Sequence, residues 1–268
     1  MTLRVHVLAE GPGWSAADVA CTAGPLDRPF EERHEQVCIA AVLSGSFQYR
    51  TRQGSATMAP GALMLGNSGA CFECGHEHGA GDRCLSFHFD PGWFAETVAS
   101  VPGSRRLDFS VPRLPPSEAL LRLVAAAETA LGDPLALEEI ALRVAGIAVL
   151  AQEGASLRPA TPRDQKRVSE AIRSIEGAPA EPITLASLAA GVAMSRYHFL
   201  RAFRAVAGVT PYQFILGQRL RQAATRLRQT DDPITDIALD AGFGDLSSFN
   251  RRFRRIMGMT PGAWRRRP

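Results

Sequence analysis

The sequence predicts an α+β protein of two domains, a β-rich N-terminal domain and an all-helical C-terminal domain. Three observations predict this class. Short apolar runs separated by Gly, Pro and Ser fill residues 1–110, and apolar residues at helical spacing fill residues 164–268. The stretch GASLRPATPR at 154–163 has the composition of a linker. With 268 residues, the chain is long enough for two cores.

Charge divides the chain at the same place. Residues 161–268 hold 18 Lys+Arg and 9 Asp+Glu, a net charge of +9, whereas residues 1–160 hold 12 and 18, a net charge of −6. A basic domain beside an acidic one favours a nucleic-acid-binding module, although an Arg-rich solvated surface gives the same count. The sequence shows no bilayer-spanning apolar run and no apolar core of a signal peptide, so we expect a cytoplasmic protein with reduced cysteines and no membrane partner.

The N-terminal half alternates apolar and polar residues in the manner of half-buried strands, as in SFQYRT at 46–51. A strand, a glycine turn at Gly45 and a Pro60-Gly61 turn follow one another, and each turn residue suits a tight reversal. This order resembles the small β-barrel of the cupin superfamily. The resemblance implies a barrel at 1–110 that senses an effector.

Residues 111–153 predict two helices that flank the barrel. Ser117 has the position of an N-cap in PPSEALLRLVAAAETAL, and Pro134 begins a second apolar helix. Two adjacent apolar helices can pack inside the chain or form a seam between two chains. We expect a homodimer formed through this region.

The C-terminal half contains one stretch twice, SRYHFLRAFRAVAGVTPYQF at 195–214 and DLSSFNRRFRRIMGMTPGAW at 245–264. Each copy predicts a capped helix with two phenylalanines four residues apart on one face, ended by Gly and followed by Thr-Pro. A shorter helix and a turn precede each copy. The spacing therefore predicts two helix-turn-helix units, which a long helix from 211 to about 229 joins.

This half resembles the DNA-binding domain of the AraC/XylS family of transcription regulators. The resemblance rests on both copies of the repeat, the joining helix and the Ala241-Gly242-Phe243 turn, and it covers residues 165–267. It implies two recognition helices in successive major grooves of double-stranded promoter DNA, with RNA polymerase as a partner if the protein is an activator. We therefore expect a regulator and not an enzyme. The alternative, a cupin-type metalloenzyme fused to a DNA-binding domain, requires a His pair and a Glu where the sequence offers His34 alone.

The base-contacting residues are predicted on the helix face opposite the phenylalanines. An arginine can bind guanine O6 and N7 with two hydrogen bonds, and an asparagine can bind adenine in the same way. The copies differ at their exposed positions, so two half-sites of unlike sequence are expected. Together with the family resemblance, this face gives Arg196, Tyr197, Leu200 and Arg201 in the first copy and Ser247, Asn250 and Arg251 in the second. Phosphate contacts or solvated surface are expected for Arg204, Arg252, Arg254, Arg255 and Arg265 to Arg267.

Cysteine and histidine concentrate in CFECGHEHGAGDRC at 71–84. Thiolates and imidazoles are ligands that Zn²⁺ prefers, so the effector is expected to be a small molecule or a metal ion. The predicted ligands are His34, Cys71, Cys74, His76, His78 and Cys84. Two alternatives remain open: a thiol sensor whose low-pKa cysteines oxidise reversibly, and buried cysteines that only pack.

Overall fold

A computed structural model of the chain describes residues 3–77, 79, 81–101, 104, 106–129, 134–152, 160–177, 183 and 185–266. In this part of the chain, strands occupy the N-terminal region and helices the C-terminal region, so the predicted α+β class is confirmed. Most of the predicted linker, residues 154–159, lies outside the described residues, as does His78.

The described strands form two antiparallel sheets that pack face to face. The cluster between them is mainly aliphatic, aromatic and thiol-bearing, and includes Val42, Tyr49, Met58, Met64 and Cys84. The six-stranded sheet has the order β1 (Leu3–Gly11), β2 (Trp14–Cys21), β9 (Asp82–Phe89), β4 (Val37–Gly45), β7 (Leu63–Gly66) and β10 (Arg113–Leu114). The four-stranded sheet has the order β3 (Glu31–Arg33), β8 (Cys71–Gly75), β5 (Phe47–Thr51) and β6 (Gly54–Met58).

Three helices cover the outer face of the six-stranded sheet: α1 (Pro91–Ser100), α2 (Glu118–Thr129) and α3 (Pro134–Gln152). Ile39 and Phe87 of the sheet pack in one buried cluster with side chains of all three helices. The Ser117 hydroxyl accepts a hydrogen bond from the Leu120 amide at 3.3 Å, which confirms the predicted N-cap. Within the described residues, no helix is long and apolar enough to cross a membrane.

The C-terminal region consists of helices that form two helix-turn-helix units joined by one long helix, as predicted. In chain order they are α4 (Pro162–Gly177), α5 (Leu185–Gly191), α6 (Arg196–Ala207), α7 (Pro211–Gln229), α8 (Ile234–Asp240), α9 (Leu246–Met257) and α10 (Pro261–Arg265). The units are α5–α6 and α8–α9, and α7 joins them.

The repeat is visible in the backbone at both ends of the recognition helices α6 and α9. Their N-caps, Ser195 and Asp245, each accept a hydrogen bond from the amide three residues ahead, at 3.3 and 2.7 Å. Their C-caps, Gly208 and Gly258, are left-handed with φ of 84° and 81°. Glycine adopts this conformation without a steric cost, so both copies end the helix in the same way.

The turns of the two helix-turn-helix units differ in length and in the residue that takes the left-handed conformation. Ala193 in the first turn has φ of 51°, and Gly242 in the second has φ of 77°. The two positions correspond, because the next residue, Met194 or Phe243, donates its amide to Ala189 O or Ala238 O in the same pattern. The second turn then has one additional residue, Gly244, before the N-cap. An alanine therefore occupies a left-handed position for which the second copy uses glycine.

We predict that Ala193→Gly stabilises the chain. A non-glycine residue in the left-handed region costs about 1–2 kcal/mol, and the greater unfolded-state freedom of glycine returns about 0.5–1 kcal/mol of this. The free energy of unfolding should therefore rise by up to about 1.5 kcal/mol in urea titration. Gly242→Ala is the matched control and should lower it. A fall on Ala193→Gly would contradict the argument.

The helix α2 packs against both domains. On one side it joins the cluster beneath the six-stranded sheet. On the other side Ala125 is buried in the core of the second helix-turn-helix unit, and Leu121 packs where a Cβ on Gly217 of α7 would lie 3.1 Å from it. This packing places the second unit directly against the N-terminal domain.

Candidate DNA interface and Cys-His cluster

The helix α6 has one buried face and one exposed face. Phe199 and Phe203 are fully buried with ring centroids 5.6 Å apart. Leu200 is 36% exposed, and Arg201 is exposed beside it. Arg196 and Tyr197 lie in the first turn of α6, but their side chains are outside the described residues. The described part of the face opposite the phenylalanines is therefore available to a duplex.

The helix α9 repeats this division. Phe249 and Phe253 are fully buried, and the predicted base-contacting residues Ser247, Asn250 and Arg251 are exposed. Asn250 and Arg251 line a shallow groove along the helix. The first turn of each recognition helix also presents backbone amides, a local positive potential that suits phosphate groups.

Two arginines predicted at phosphates or on solvated surface have partners within the chain. The Arg252 guanidinium donates to the Tyr212 hydroxyl and lies 5.5 Å from the centre of the Tyr212 ring, so it fastens α9 to α7. Arg265 donates to Leu227 O at 3.3 Å and to Asp232 O at 2.5 Å. Three other arginines of this predicted group are exposed: Arg204, Arg254 and Arg255.

His34, the first predicted metal ligand, is a buried core residue. Its Nε2 lies 2.7 Å from the Tyr49 hydroxyl, and that hydroxyl donates to Leu65 O at 3.1 Å. The Phe72 ring stacks on the His34 ring, with the two ring centroids 4.0 Å apart. Burial, together with the neighbouring His88, lowers the pKa of His34 to about 4. These contacts hold His34 as a neutral ring.

The predicted cysteines lie on different faces of the sheets. Phe72 and Cys74 pack against the cluster between the sheets, so strand alternation places Cys71 on the outer face of β8. Cys84 is buried in that cluster. Burial raises the pKa of Cys74 and of Cys84 well above the ordinary thiol value, and nearby carboxylates add to the effect. These two groups are therefore held as thiols at neutral pH.

Of the six predicted ligands, only His76 belongs to a group that can share one ion among the described residues. Its partners are Cys21 and Asp82, and the three ligand atoms of this group, which we call the Cys-His cluster, lie within 4.8 Å of one another. Neither partner was predicted from the sequence, because Cys21 lies 55 residues before His76 and Asp82 was expected only as a neighbour of the Cys and His residues. The signal that finds them is the pairing of β2 with β9, in which Cys21 is directly opposite Asp82.

Polar contacts connect the N-terminal domain with the helices of the C-terminal domain. The Arg113 side chain is buried, and its Nη1 donates to Thr57 O of β6 at 3.0 Å and to Val206 O in the last turn of α6. Burial lowers the pKa of Arg113 to about 10, so the guanidinium stays charged at neutral pH. Further contacts join Arg221 Nη2 to Leu43 O at 2.5 Å and the Gly45 amide to Glu176 Oε1 at 3.1 Å.

Two family models match the chain, one over each domain. A model described as an AraC-like ligand binding domain matches residues 22–145, and a model described as a helix-turn-helix domain matches residues 188–267. The first match includes α2 and the first part of α3, which lie in the predicted dimerisation region. The cupin resemblance and the predicted dimer stay predictions.

The curated relatives are similar to this chain over little more than a third of its length. A putative AraC-like transcription regulator of Streptomyces antibioticus is 33% identical over 101 residues, 38% of this chain and 33% of that protein. The regulatory protein SoxS of Escherichia coli (strain K12) is 35% identical over 103 residues, 38% of this chain and 96% of that protein. The match thus spans about a third of the length of the first of these relatives and nearly all of SoxS.

A solved structure is similar over a comparable share of the chain. The DNA-binding domain of the global transcriptional factor AdpA, solved in complex with a target DNA, is 31% identical, with 37% of this chain and 89% of that chain covered and a TM-score of 0.36. The Streptomyces protein and SoxS are both described as regulators and not as enzymes, in agreement with the expectation from sequence.

Proposed function

The chain belongs to the AraC family of transcription regulators, and from this membership we propose that it binds promoter DNA through α6 and α9 under the control of its N-terminal domain. One observation carries the proposal. The helices α6 and α9 have equivalent caps and the same pair of buried phenylalanines. Each helix also presents an exposed arginine at the corresponding position, Arg201 in α6 and Arg251 in α9. A rigidly held helix with an exposed arginine suits base contacts in a major groove.

The roles of the exposed residues follow from their chemistry. Arg201 and Arg251 each bind a guanine, and Asn250 binds an adenine. Leu200 contacts a thymine methyl group, and Ser247 and Tyr197 donate hydrogen bonds at the edge of each site. Because Leu200 and Asn250 differ in polarity, the two half-sites differ in sequence. Arg204, Arg254 and Arg255 contact phosphates, which orient the protein but carry no sequence information.

The contacts between the domains support control by an effector. Arg113 connects β6 with the last turn of α6, and α2 packs on α7 and in the core that holds α9. The N-terminal domain therefore contacts both helix-turn-helix units. An effector that binds one arrangement of the domains more tightly than another changes the placement of the two recognition helices, and with it the affinity for DNA.

The effector is a small molecule or a metal ion. A cleft of about 420 Å³ between the domains, lined in part by Pro60, Leu121, Phe214 and Arg221, supports a small molecule, since its size suits a ligand pocket. The Cys-His cluster supports a metal ion. The thiol-sensor alternative is less favoured, because a reactive thiol needs a low pKa and burial raises the pKa of Cys74 and Cys84.

The remaining partners belong to the same proposal. Leu121 and Ala125 of α2 are occupied within the chain, so a homodimer through the helical region uses α3, where Leu142 and Leu150 are 44% and 54% exposed. RNA polymerase is a partner if the protein activates transcription. A cytoplasmic location follows from access to promoter DNA.

Selection from a random library of duplexes tests the proposal. The full chain should enrich one motif with two unlike half-sites, whose centres lie about 10.5 base pairs apart because the two recognition helices occupy successive major grooves. Affinity for the enriched duplex should exceed that for scrambled duplex about 1,000-fold or more at fixed salt. Failure to enrich any motif, with purely salt-dependent binding, would exclude sequence-specific recognition.

A further inference from the structure

The Cys-His cluster lies where β2 ends and β9 begins. The His76 Nε2 and Asp82 Oδ1 atoms are 2.5 Å apart, and the Cys21 Sγ atom lies within 4.8 Å of the ligand atoms of both. The side chains of His76 and Asp82 are 3% and 8% exposed, and Cys21 is half-buried. Three chemically different donors thus meet at one largely buried point.

The backbone of the N-terminal domain fixes this arrangement. Cys21 and Asp82 are directly opposite each other in the antiparallel pair β2–β9, which places their Cβ atoms about 5 Å apart. Gly81, with φ of 74°, donates its amide to Ala23 O at 2.8 Å, and this hydrogen bond fixes the backbone just before β9. The meeting of the donors therefore follows from sheet register and does not depend on the rotamer of one long side chain.

The surroundings add to the case for a ligand. The Phe47 ring stacks on His76 with centroids 5.7 Å apart and forms an apolar wall. The Cys84 thiol donates to the second oxygen of Asp82 at 3.4 Å, so it orients the carboxylate. A ligating carboxylate that is itself hydrogen-bonded, in a site with little water, is the usual setting of a protein metal ion.

The geometry points to a Zn²⁺ site, or one for a similarly borderline-soft divalent cation, formed by Cys21 Sγ, His76 Nε2 and one oxygen of Asp82. Sulfur, imidazole nitrogen and carboxylate oxygen together favour Zn²⁺ over Mg²⁺ or Ca²⁺, which prefer oxygen alone. Binding releases the Cys21 thiol proton to solvent and leaves the ring proton of His76 on Nδ1. Because four-coordinate Zn²⁺ would have three protein ligands here, one water molecule completes the site.

The site is one strand away from the DNA-binding domain. Asp82 also pairs with Gly45 of β4, and a Cβ on Gly45 would lie 2.8 Å from Asp82 Cα, so the two backbones touch. The Gly45 amide in turn donates to Glu176 of α4. A metal ion that draws Asp82 toward Cys21 therefore acts on a strand that contacts α4. This coupling step rests on the proposed function, whereas the site itself does not.

The site is tested by Zn²⁺ titration of the purified full chain against a chromophoric chelator. One Zn²⁺ per chain is expected, and Cys21→Ser and His76→Ala should each weaken binding about 100-fold or more, since each removes a ligand. Cys71→Ser is the matched control, because Cys71 lies on the outer face of β8, and it should bind as the wild-type chain does. Absence of stoichiometric Zn²⁺ binding by the wild-type chain, or an equal loss in Cys71→Ser, overturns the site.

A second measurement guards against variants that fail to fold. Co²⁺ replaces Zn²⁺, and the thiolate-to-cobalt charge-transfer absorption should appear in the wild-type chain and in Cys71→Ser but not in Cys21→Ser. Circular dichroism of each variant should match that of the wild-type chain. The same charge-transfer absorption in folded Cys21→Ser would overturn the assignment of Cys21.

DNA affinity, measured with and without Zn²⁺, tests the coupling. Zn²⁺ should change the affinity of the wild-type chain for its selected duplex by about 5-fold or more, and Glu176→Ala, which removes the acceptor of the Gly45 amide, should bind Zn²⁺ normally but lose this change. Stoichiometric Zn²⁺ that leaves DNA affinity unchanged overturns the coupling and supports the site. Loss of specific DNA binding under both conditions contradicts the proposed function instead.

Discussion

Replacing Arg201 or Arg251 by alanine is expected to weaken specific DNA binding about 10- to 100-fold, because each removes a two-bond contact to guanine worth about 1–3 kcal/mol. The double variant should lose close to the product of the two effects, because the residues lie in separate helix-turn-helix units with separate cores. The measurement is a fluorescence-anisotropy titration with the selected duplex at fixed salt.

The matched control is Arg52→Ala. Arg52 is an exposed arginine in the turn between β5 and β6, so its replacement changes net charge by the same amount in the N-terminal domain and away from α3. It should alter affinity by less than 2-fold. Unchanged affinity in both Arg201→Ala and Arg251→Ala would remove the base-contact assignment, whereas an equal loss in Arg52→Ala would show that only net charge matters.

Stability should fall steeply on acidification, and His34 should carry much of the fall. The pKa of His34 is lowered from 6.5 to about 4 in the folded chain, so between these values the unfolded chain binds a proton that the folded chain excludes. The stabilisation is complete above pH 6.5 and is lost as the pH falls toward 4. At pH 5 the loss from this group amounts to about 2 kcal/mol.

His34→Gln tests this origin, because glutamine can keep a hydrogen bond to Tyr49 and does not titrate. Urea titrations between pH 7.5 and pH 4.5 should give a flatter profile for the variant. His6→Gln is the control, since His6 is exposed on β1 and should leave the profile unchanged. His88, whose pKa is also lowered by burial, should account for part of the remaining slope. A profile for His34→Gln as steep as that of the wild-type chain would contradict this origin.

The C-terminal domain could be predicted almost completely from the sequence, because its signals are local. The Phe199/Phe203 spacing, the Ser195 cap and the Gly208 end all lie within one helix and its flanks, and each has the predicted role. The conformation of the first turn could not be predicted. Ala193 adopts the left-handed conformation that Gly242 adopts in the second copy, and an alanine in the sequence does not indicate that conformation.

The proposed metal site in the N-terminal domain could be predicted only as a stretch of sequence rich in Cys and His. The concentration of Cys and His within residues 71–84 identified His76 but not its partners. Cys21 comes close to His76 only because β2 pairs with β9, which brings together residues about sixty positions apart in the sequence. His34 fits a metal ligand by position, yet Tyr49 and Phe72 enclose it. The alternation of β8 separates Cys71 from Cys74, which adjacency in the sequence does not reveal.

Guanine methylation interference on the selected duplex tests most directly that two similar helices of one chain contact two successive grooves. Two clusters of interfering guanines should appear on one face of the duplex, about 10.5 base pairs apart. Arg201→Ala should abolish one cluster and Arg251→Ala the other. A single cluster, or the loss of the same cluster in both variants, would contradict recognition by the two helices.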